Sequence, residues 1–419
     1  MTATLPRRIN ETGLALRTGS CAAKITLVKA RALLAIAAVI GSVIAMPATG
    51  PLAAATSHWW VQTFAFANRK LGVVVEGSGV EQAGRCALSL YATSNGGVTW
   101  GPPIVLSHNA SCSFAGSTGE TAITAGGSWF LAMPQGLFKG RVHHPGFELV
   151  SAGRLTPSEL SGTVCSVAAT ARLVWVVLAK SCGLGSAAVL LVSGNDGGTW
   201  TRSAAMPLGS VVEVTFPDGG PDSLAVASPA SAWLIGWRTT PPNADGPAEP
   251  LAVARTTDAG FAWHVTTLPC KGFLGGMLTA AGNDLAAVCL GEAGTGYEAM
   301  EVVTSTNGGA SWTQRCNNGP PGLLRIVGAC PNGGYPSTIV AMPDGALVMA
   351  LGYAGVVEVS FDGGRIWKLA LRSASSFLIL ARGSGAVWML GVGPASSGLR
   401  LAESADGRRW HEVGLPSSS

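Results

Sequence analysis

The chain of 419 residues is short of charge: 12% of its residues are Asp, Glu, Lys or Arg, while 47% are hydrophobic. So few charges argue against a nucleic-acid or anionic-membrane partner, which would need basic side chains clustered on one surface. Disorder is excluded too, because disordered chains pair low hydrophobicity with high charge. There is no Cys-x-x-Cys pair and no paired histidine near any cysteine, so zinc-ligand spacing is missing and no metal is expected. No sequence pattern implies a cofactor. Beyond the N-terminal region no apolar run is long enough to cross a bilayer, and no helical stripe is sustained.

What the chain has in abundance is glycine, 57 residues of it, separating apolar runs of strand length. The remaining feature is at the start. Residues 1–31 carry six basic side chains and one acid, Glu11; an apolar stretch from Ala32 to Met46 follows, then Pro47 and the small residues Ala53 to Ala55. This is the layout of a secretory signal peptide, with an uncleaved N-terminal anchor as the alternative. Removal of residues 1–55 leaves 21 basic against 22 acidic residues, so the formal charge of +4 belongs to the leader. The expected location is outside the cytoplasm: secreted, periplasmic or cell-surface, with the membrane touched through the N-terminal segment if that segment stays.

One short pattern recurs six times. It reads Thr93-Ser-Asn-Gly-Gly-Val-Thr-Trp100, Ser193-Gly-Asn-Asp-Gly-Gly-Thr-Trp200, Thr256-Thr-Asp-Ala-Gly-Phe-Ala-Trp263, Ser305-Thr-Asn-Gly-Gly-Ala-Ser-Trp312, Ser360-Phe-Asp-Gly-Gly-Arg-Ile-Trp367 and the shortened Ser404-Ala-Asp-Gly-Arg-Arg-Trp410. Asn95, Asn195, Asp258, Asn307, Asp362 and Asp406 are suited to accept backbone N–H groups a few residues on, and the glycine that follows supplies positive φ. Trp100, Trp200, Trp263, Trp312, Trp367 and Trp410 offer large apolar faces to the next unit. A catalytic reading is poor, because Asn stands at half of the acidic positions and does no acid–base work. The pattern is a turn, and it resembles the Asp-box or bacterial neuraminidase repeat.

The Trp series leaves one double gap, between 100 and 200, in which Leu137–Phe147 aligns with Leu90–Trp100 so that Phe147 stands in the Trp position. Seven units of about fifty residues result, the size of a four-stranded propeller blade. The expected fold is all-β: a seven-bladed β-propeller of four-stranded antiparallel blades. Its blades fall near 58–107, 119–152, 161–207, 209–268, 272–316, 335–371 and 375–415, with 417–419 as a tail.

Eight cysteines remain after the leader, an even number, which favours disulfides in an exported chain. In a meander of strands A to D the repeated turns join C to D at one end, and B–C and D–A connections lie at the other. Blade counting puts Cys86, Cys112, Cys165, Cys182, Cys270, Cys289, Cys316 and Cys330 at that other end, with Cys182 and Cys289 at or beyond the ends of strand B. The expected bridges are Cys86–Cys112, Cys165–Cys182, Cys270–Cys289 and Cys316–Cys330.

Asp-box propellers of this kind occur among sialidases, xyloglucan-degrading glycosidases, sortilin-type receptors and photosystem II stability and assembly factors. The chain is most similar in layout to the last group, a ring with a box in most blades behind an export signal. That resemblance implies a non-enzymatic propeller that binds protein; the expected partner is a protein or glycan of the cell envelope, met through the cysteine-bearing face. The alternative is a sialidase-like glycoside hydrolase, exo-acting, using loop carboxylates on the same face. Candidate catalytic residues for it are Tyr297, Glu298, Glu249 and Asp245, with arginines such as Arg315 and Arg372 on that face. The segment 317–336 is the best candidate for a recognition loop.

Overall fold

Runs such as Leu347–Gly352 and Ala232–Trp237, in which every residue is buried, are strands covered on both faces. Such strands need a neighbouring sheet on each side, and the chain supplies it by folding into seven sheets around an axis. The computed structural model describes residues 58–416 apart from 80–84, 112–119, 134–135, 151–162, 180–187, 205–207, 209, 212–223, 239–249, 271, 274, 295–296, 319–327, 332–333, 353, 374–376 and 393–399. All the described residues belong to the unit Thr56–Ser419.

Each blade is an antiparallel meander, A to D from the axis outward. Blade 1 is His58–Phe66, Gly72–Gly79, Arg85–Thr93 and Ile104–Ser111; blade 2 is Glu120–Ile123, Ser128–Met133, Gly136–Arg141 and His144–Val150. Blade 3 is Thr163–Thr170, Leu173–Ala179, Ala188–Ser193 and Thr201–Arg202. Blade 4 has its inner strand in two pieces, Ser210–Val211 and Leu224–Val226, both paired with Ala232–Trp237, then Leu251–Thr256 and His264–Thr267. Blade 5 is Gly275–Ala281, Asp284–Gly294, Tyr297–Ser305 and Thr313–Asn317; blade 6 is Tyr335–Ala341, Leu347–Gly352, Val356–Ser360 and Lys368–Arg372. Blade 7 is Phe377–Gly383, Ala386–Val392, Arg400–Ser404 and His411–Val413.

The core is divided among the seven blade–blade interfaces. Val73 and Val75 pack toward blade 2, and Val74, between them on the same strand, packs toward blade 7. The same alternation sends Met300 and Val302 toward blade 6 and Val303 toward blade 4. Because every blade is a contiguous stretch of chain, the ring closes between blades 7 and 1 through side chains and turns. Phe66 stacks on Trp388 with centroids 3.6 Å apart, Trp100 Nε1 donates to the Gly414 carbonyl at 2.8 Å, and Arg69 pairs with Glu403 at 2.5 Å.

Two expectations need correction. Blade 2 joins its outer strands by a two-residue hairpin, Val142 and His143, so Phe147 lies within strand D opposite Gly140. It is exposed and rests on Phe138 of its own blade. Cys289 lies in the middle of strand B of blade 5, which runs on to Gly294 in a long hairpin.

Candidate functional site

The two ends of the ring are chemically different. At one end are the six repeated turns, each built the same way. In five of them the leading Ser or Thr hydroxyl accepts the N–H of the glycine four residues on, at 2.8–2.9 Å: Thr93 from Gly97, Ser193 from Gly197, Thr256 from Gly260, Ser305 from Gly309 and Ser360 from Gly364. The Asn or Asp oxygen accepts that hydroxyl's proton and N–H groups from the far side of the turn, as in Asn95 with Thr99 and Asp362 with Ile366. These bonds hold the carboxylates below their ordinary range. The chief cause is the Ala262 N–H at Asp258 and the Arg409 N–H at Asp406; at Asp362, burial opposes the shift but donation from Ile366, Ser360 and Arg365 outweighs it. Carboxylates kept ionised by backbone donors brace a turn and carry no proton near neutrality.

Each turn also latches its blade to the preceding one. Trp233 Nε1 of blade 4 donates to the Gly308 carbonyl of blade 5 at 2.9 Å, and Lys139 Nζ of blade 2 donates to the Gly197 carbonyl of blade 3 at 3.0 Å. The turn tryptophans Trp100, Trp200, Trp263, Trp312 and Trp410 are partly buried, and Trp367 is buried. Larger anchors lie on the B strands, where Trp129, Trp175, Trp233 and Trp388 are wholly buried.

Cys86, Cys165 and Cys270 lie toward the other end, Cys289 and Cys316 lie within strands of blade 5, and Cys330 follows Ala329, whose N–H donates to the Arg365 carbonyl of the blade 6 turn at 2.9 Å. Cys270 is bonded to Cys289, and Cys316 to Cys330. Cys86 and Cys165 are also disulfide-bonded, while Cys112 and Cys182 lie outside the described residues. Beside the second bridge, Asn318 accepts the Met300 N–H at 2.6 Å and donates through Nδ2 to the Pro331 carbonyl at 3.1 Å. The bridge and this amide join the described residues on either side of 319–327. The amide was not anticipated from sequence, where an Asn beside a cysteine and a Gly-Pro-Pro run reads as ordinary loop.

The same end buries carboxyl groups. Glu298, the second residue of its strand, is 3% exposed; its Oε2 has no hydrogen-bond partner, and burial pushes the carboxyl up to about 8. Glu76 of blade 1 is 4% exposed and is pushed up to about 7 by burial. Glu301, opposite Cys289 and Asn317, is raised by burial against an opposing bond from Gln314. Of the other candidates, Tyr297 opens the Glu298 strand, and Asp245 and Glu249 lie outside the described residues. The arginines do not gather: Arg315 sits at the turn end, its Nε donating to Thr304 at 2.5 Å and its stem against Gly364, and Arg372 is exposed on an outer strand. No cluster of metal-ligating side chains occurs among the described residues.

No protein-family profile matches the sequence, and no curated protein sequence matches it. Solved structures do. YCF48 bound to D1 peptide is 14% identical, over 83% of this chain and 94% of that one, with a TM-score of 0.50. The β-propeller domain of the Trilobed protease from Pyrococcus furiosus is 8% identical, over 86% and 99%, with a TM-score of 0.51. An ancestral GH74 enzyme is 13% identical, over 88% of this chain and 48% of that one, with a TM-score of 0.50. At these identities the likeness is one of fold. It joins this chain to propellers of which one binds a peptide and another is an enzyme, so function has to be argued from the side chains.

Proposed function

We propose that the protein is an exported, non-enzymatic propeller that binds a protein or cell-envelope partner through the end opposite the repeated turns. The observation that carries this reading is the covalent bracing of the connections that flank blade 5. Cys270–Cys289 and Cys316–Cys330 tie the D-to-A connections on either side of blade 5, and Asn318 adds a hydrogen-bonded clamp. Loops tied at both ends lose less entropy when a partner settles on them. Disulfides persist in oxidising compartments, which agrees with export, residues 1–55 being the signal peptide or anchor.

A photocrosslinker placed at exposed Ser78, at the end opposite the repeated turns, and at exposed Val98, in a repeated turn, tests the assignment in the producing cell. Adducts from Ser78 that vanish on mild reduction, and none from Val98, are expected. Adducts from Val98 alone would move the binding face to the turns.

A second reading is supported by Glu298. A buried carboxyl that stays protonated at neutral pH has the profile of a general acid, as a glycoside hydrolase requires. Turnover of any member of a fluorogenic glycoside panel including sialosides, abolished in Glu298→Gln, would replace the binding reading with this one.

A further inference from the structure

Among the described residues the axis of the ring is left open. A cavity of about 240 Å³ is walled by the innermost strands of all seven blades. Much of the wall is small: Ala65, Ala122, Ala168, Ala225, Ala280 and Ala381 leave space where larger side chains would have filled it. Among the described residues, two charged ones line it, Glu120 and Arg382. Glu120 is engaged, accepting the Val167 N–H of the next blade at 2.6 Å.

Arg382 stands one residue before the end of its strand, beside the A–B turn, so it marks the end of the channel nearer the repeated turns. Its Nη1 donates to the carbonyl of Ala280, reaching past blade 6 to blade 5. Among the described residues it forms no ion pair, and its other N–H donors have no protein acceptor. The side chain is exposed, and the surrounding protein still holds its guanidinium below the ordinary arginine range by desolvation. A partly desolvated charge without a counter-ion is costly, and an anion that fits the cavity recovers that cost.

We propose that this end of the central channel is a binding site for a carboxylate-bearing ligand, held by the planar fork of Arg382. The cavity has the volume of roughly eight waters, which suits a small organic acid or the last residue of a peptide chain. Both offer the same recognised group, a carboxylate matched to a guanidinium in two parallel hydrogen bonds. Among the described residues no cysteine lines the channel, so the site is independent of the face assigned above.

Chemical modification of the full chain by phenylglyoxal tests it without altering the sequence. The rate at Arg382 is read by mass spectrometry against that at exposed Arg372, in the presence of succinate, of tri-alanine with a free C-terminal carboxylate, or of its C-terminal amide. Protection of Arg382 several-fold by at least one acid, with none by the amide and none at Arg372, is expected. Protection by the peptide acid alone identifies a chain terminus as the ligand; protection by succinate as well identifies free small acids. Arg382→Lys keeps the charge and loses the fork, and calorimetry should find the protecting acid bound at least about tenfold more weakly. Unchanged modification of Arg382 with both acids, equal protection of Arg372, or undiminished binding to the lysine variant overturns the proposal.

Discussion

The Phe66 ring lies flat on the Trp388 indole, 3.6 Å between centroids and 6° between planes. With no strand shared between the first and last blades, this stack is an aromatic contact that helps to close the ring. Phe66→Ala should cost about 3–5 kcal/mol in chemical denaturation. The Phe66→Ala/Trp388→Ala double variant should lose less than the sum of the singles, by about 0.5–1.5 kcal/mol, the part belonging to the ring pair itself. Strict additivity would mean that the ring is closed by something else.

Five of the six repeated turns carry two successive left-handed residues, and at the first of them the fourth blade has Ala259, φ 60°, where the first, fifth and sixth have Gly96, Gly308 and Gly363. A side chain there costs about 1–2 kcal/mol, partly offset by the smaller chain entropy of alanine. Ala259→Gly is therefore expected to stabilise by about 0.5–1 kcal/mol, whereas Gly260→Ala, whose new Cβ would lie 2.8 Å from Ser203 Cβ, should destabilise. Thermal melts of the two variants having the same sign would contradict this account of the turn.

These turns explain why so much of the ring is legible in the sequence. Asn95, Asp258 and their counterparts act within eight residues, so their chemistry is written locally and their spacing counts the blades. The strands of blade 6 follow directly from its apolar runs, Tyr335–Ala341 and Leu347–Gly352 among them. What escapes is non-local. Trp129, Trp175, Trp233 and Trp388 bury more surface than the turn tryptophans, but no motif flanks them. Phe147 aligns with a tryptophan by residue count, yet a two-residue hairpin moves it into the strand. The engagement of Asn318 with Pro331 and of Arg382 with Ala280 depends on which blades face each other. Burial of Glu298 is likewise not legible, since a Glu between Tyr297 and Ala299 just after a Gly-Thr-Gly turn reads as a solvated strand end.

The two described bridges close short loops, 19 residues apart in Cys270–Cys289 and 14 in Cys316–Cys330. Replacing Cys316 and Cys330 together by Ser should cost roughly 3 kcal/mol by the loop-entropy relation. Limited proteolysis should then cut first within 317–336. First cleavage elsewhere would show that Asn318 alone is enough to hold that segment.

Each innermost strand leaves an unpaired backbone edge toward the axis, and neighbouring blades supply the missing partners. Thr338 Oγ1 accepts the Leu380 N–H at 3.0 Å, and Thr279 Oγ1 accepts the Ala341 N–H at 2.9 Å. Thr338→Val keeps the shape and orphans the Leu380 N–H, a loss of about 1–3 kcal/mol. Thr338→Ser should recover most of it. Equal losses in both variants would point to packing of the threonine methyl instead.

The buried carboxyls make stability fall with rising pH. In the unfolded chain Glu76 and Glu298 titrate near 4.5, whereas in the ring burial holds their protons to about 7 and about 8. Between those limits the folded state binds more protons than the unfolded one. Stability therefore declines as pH climbs through the window, by up to about 1.4 kcal/mol per pH unit for each group, and levels off above it. Below pH 4.5 both states are protonated and the full stability is present. Glu301 and Glu358, also raised by burial, add to the same slope. Glu298→Gln removes one titration, so its urea midpoint should fall less steeply than that of the unaltered protein from pH 5 to 8 and exceed it at the alkaline end. Parallel curves over that range would mean that the Glu298 carboxyl meets water or a counter-charge in the folded ring.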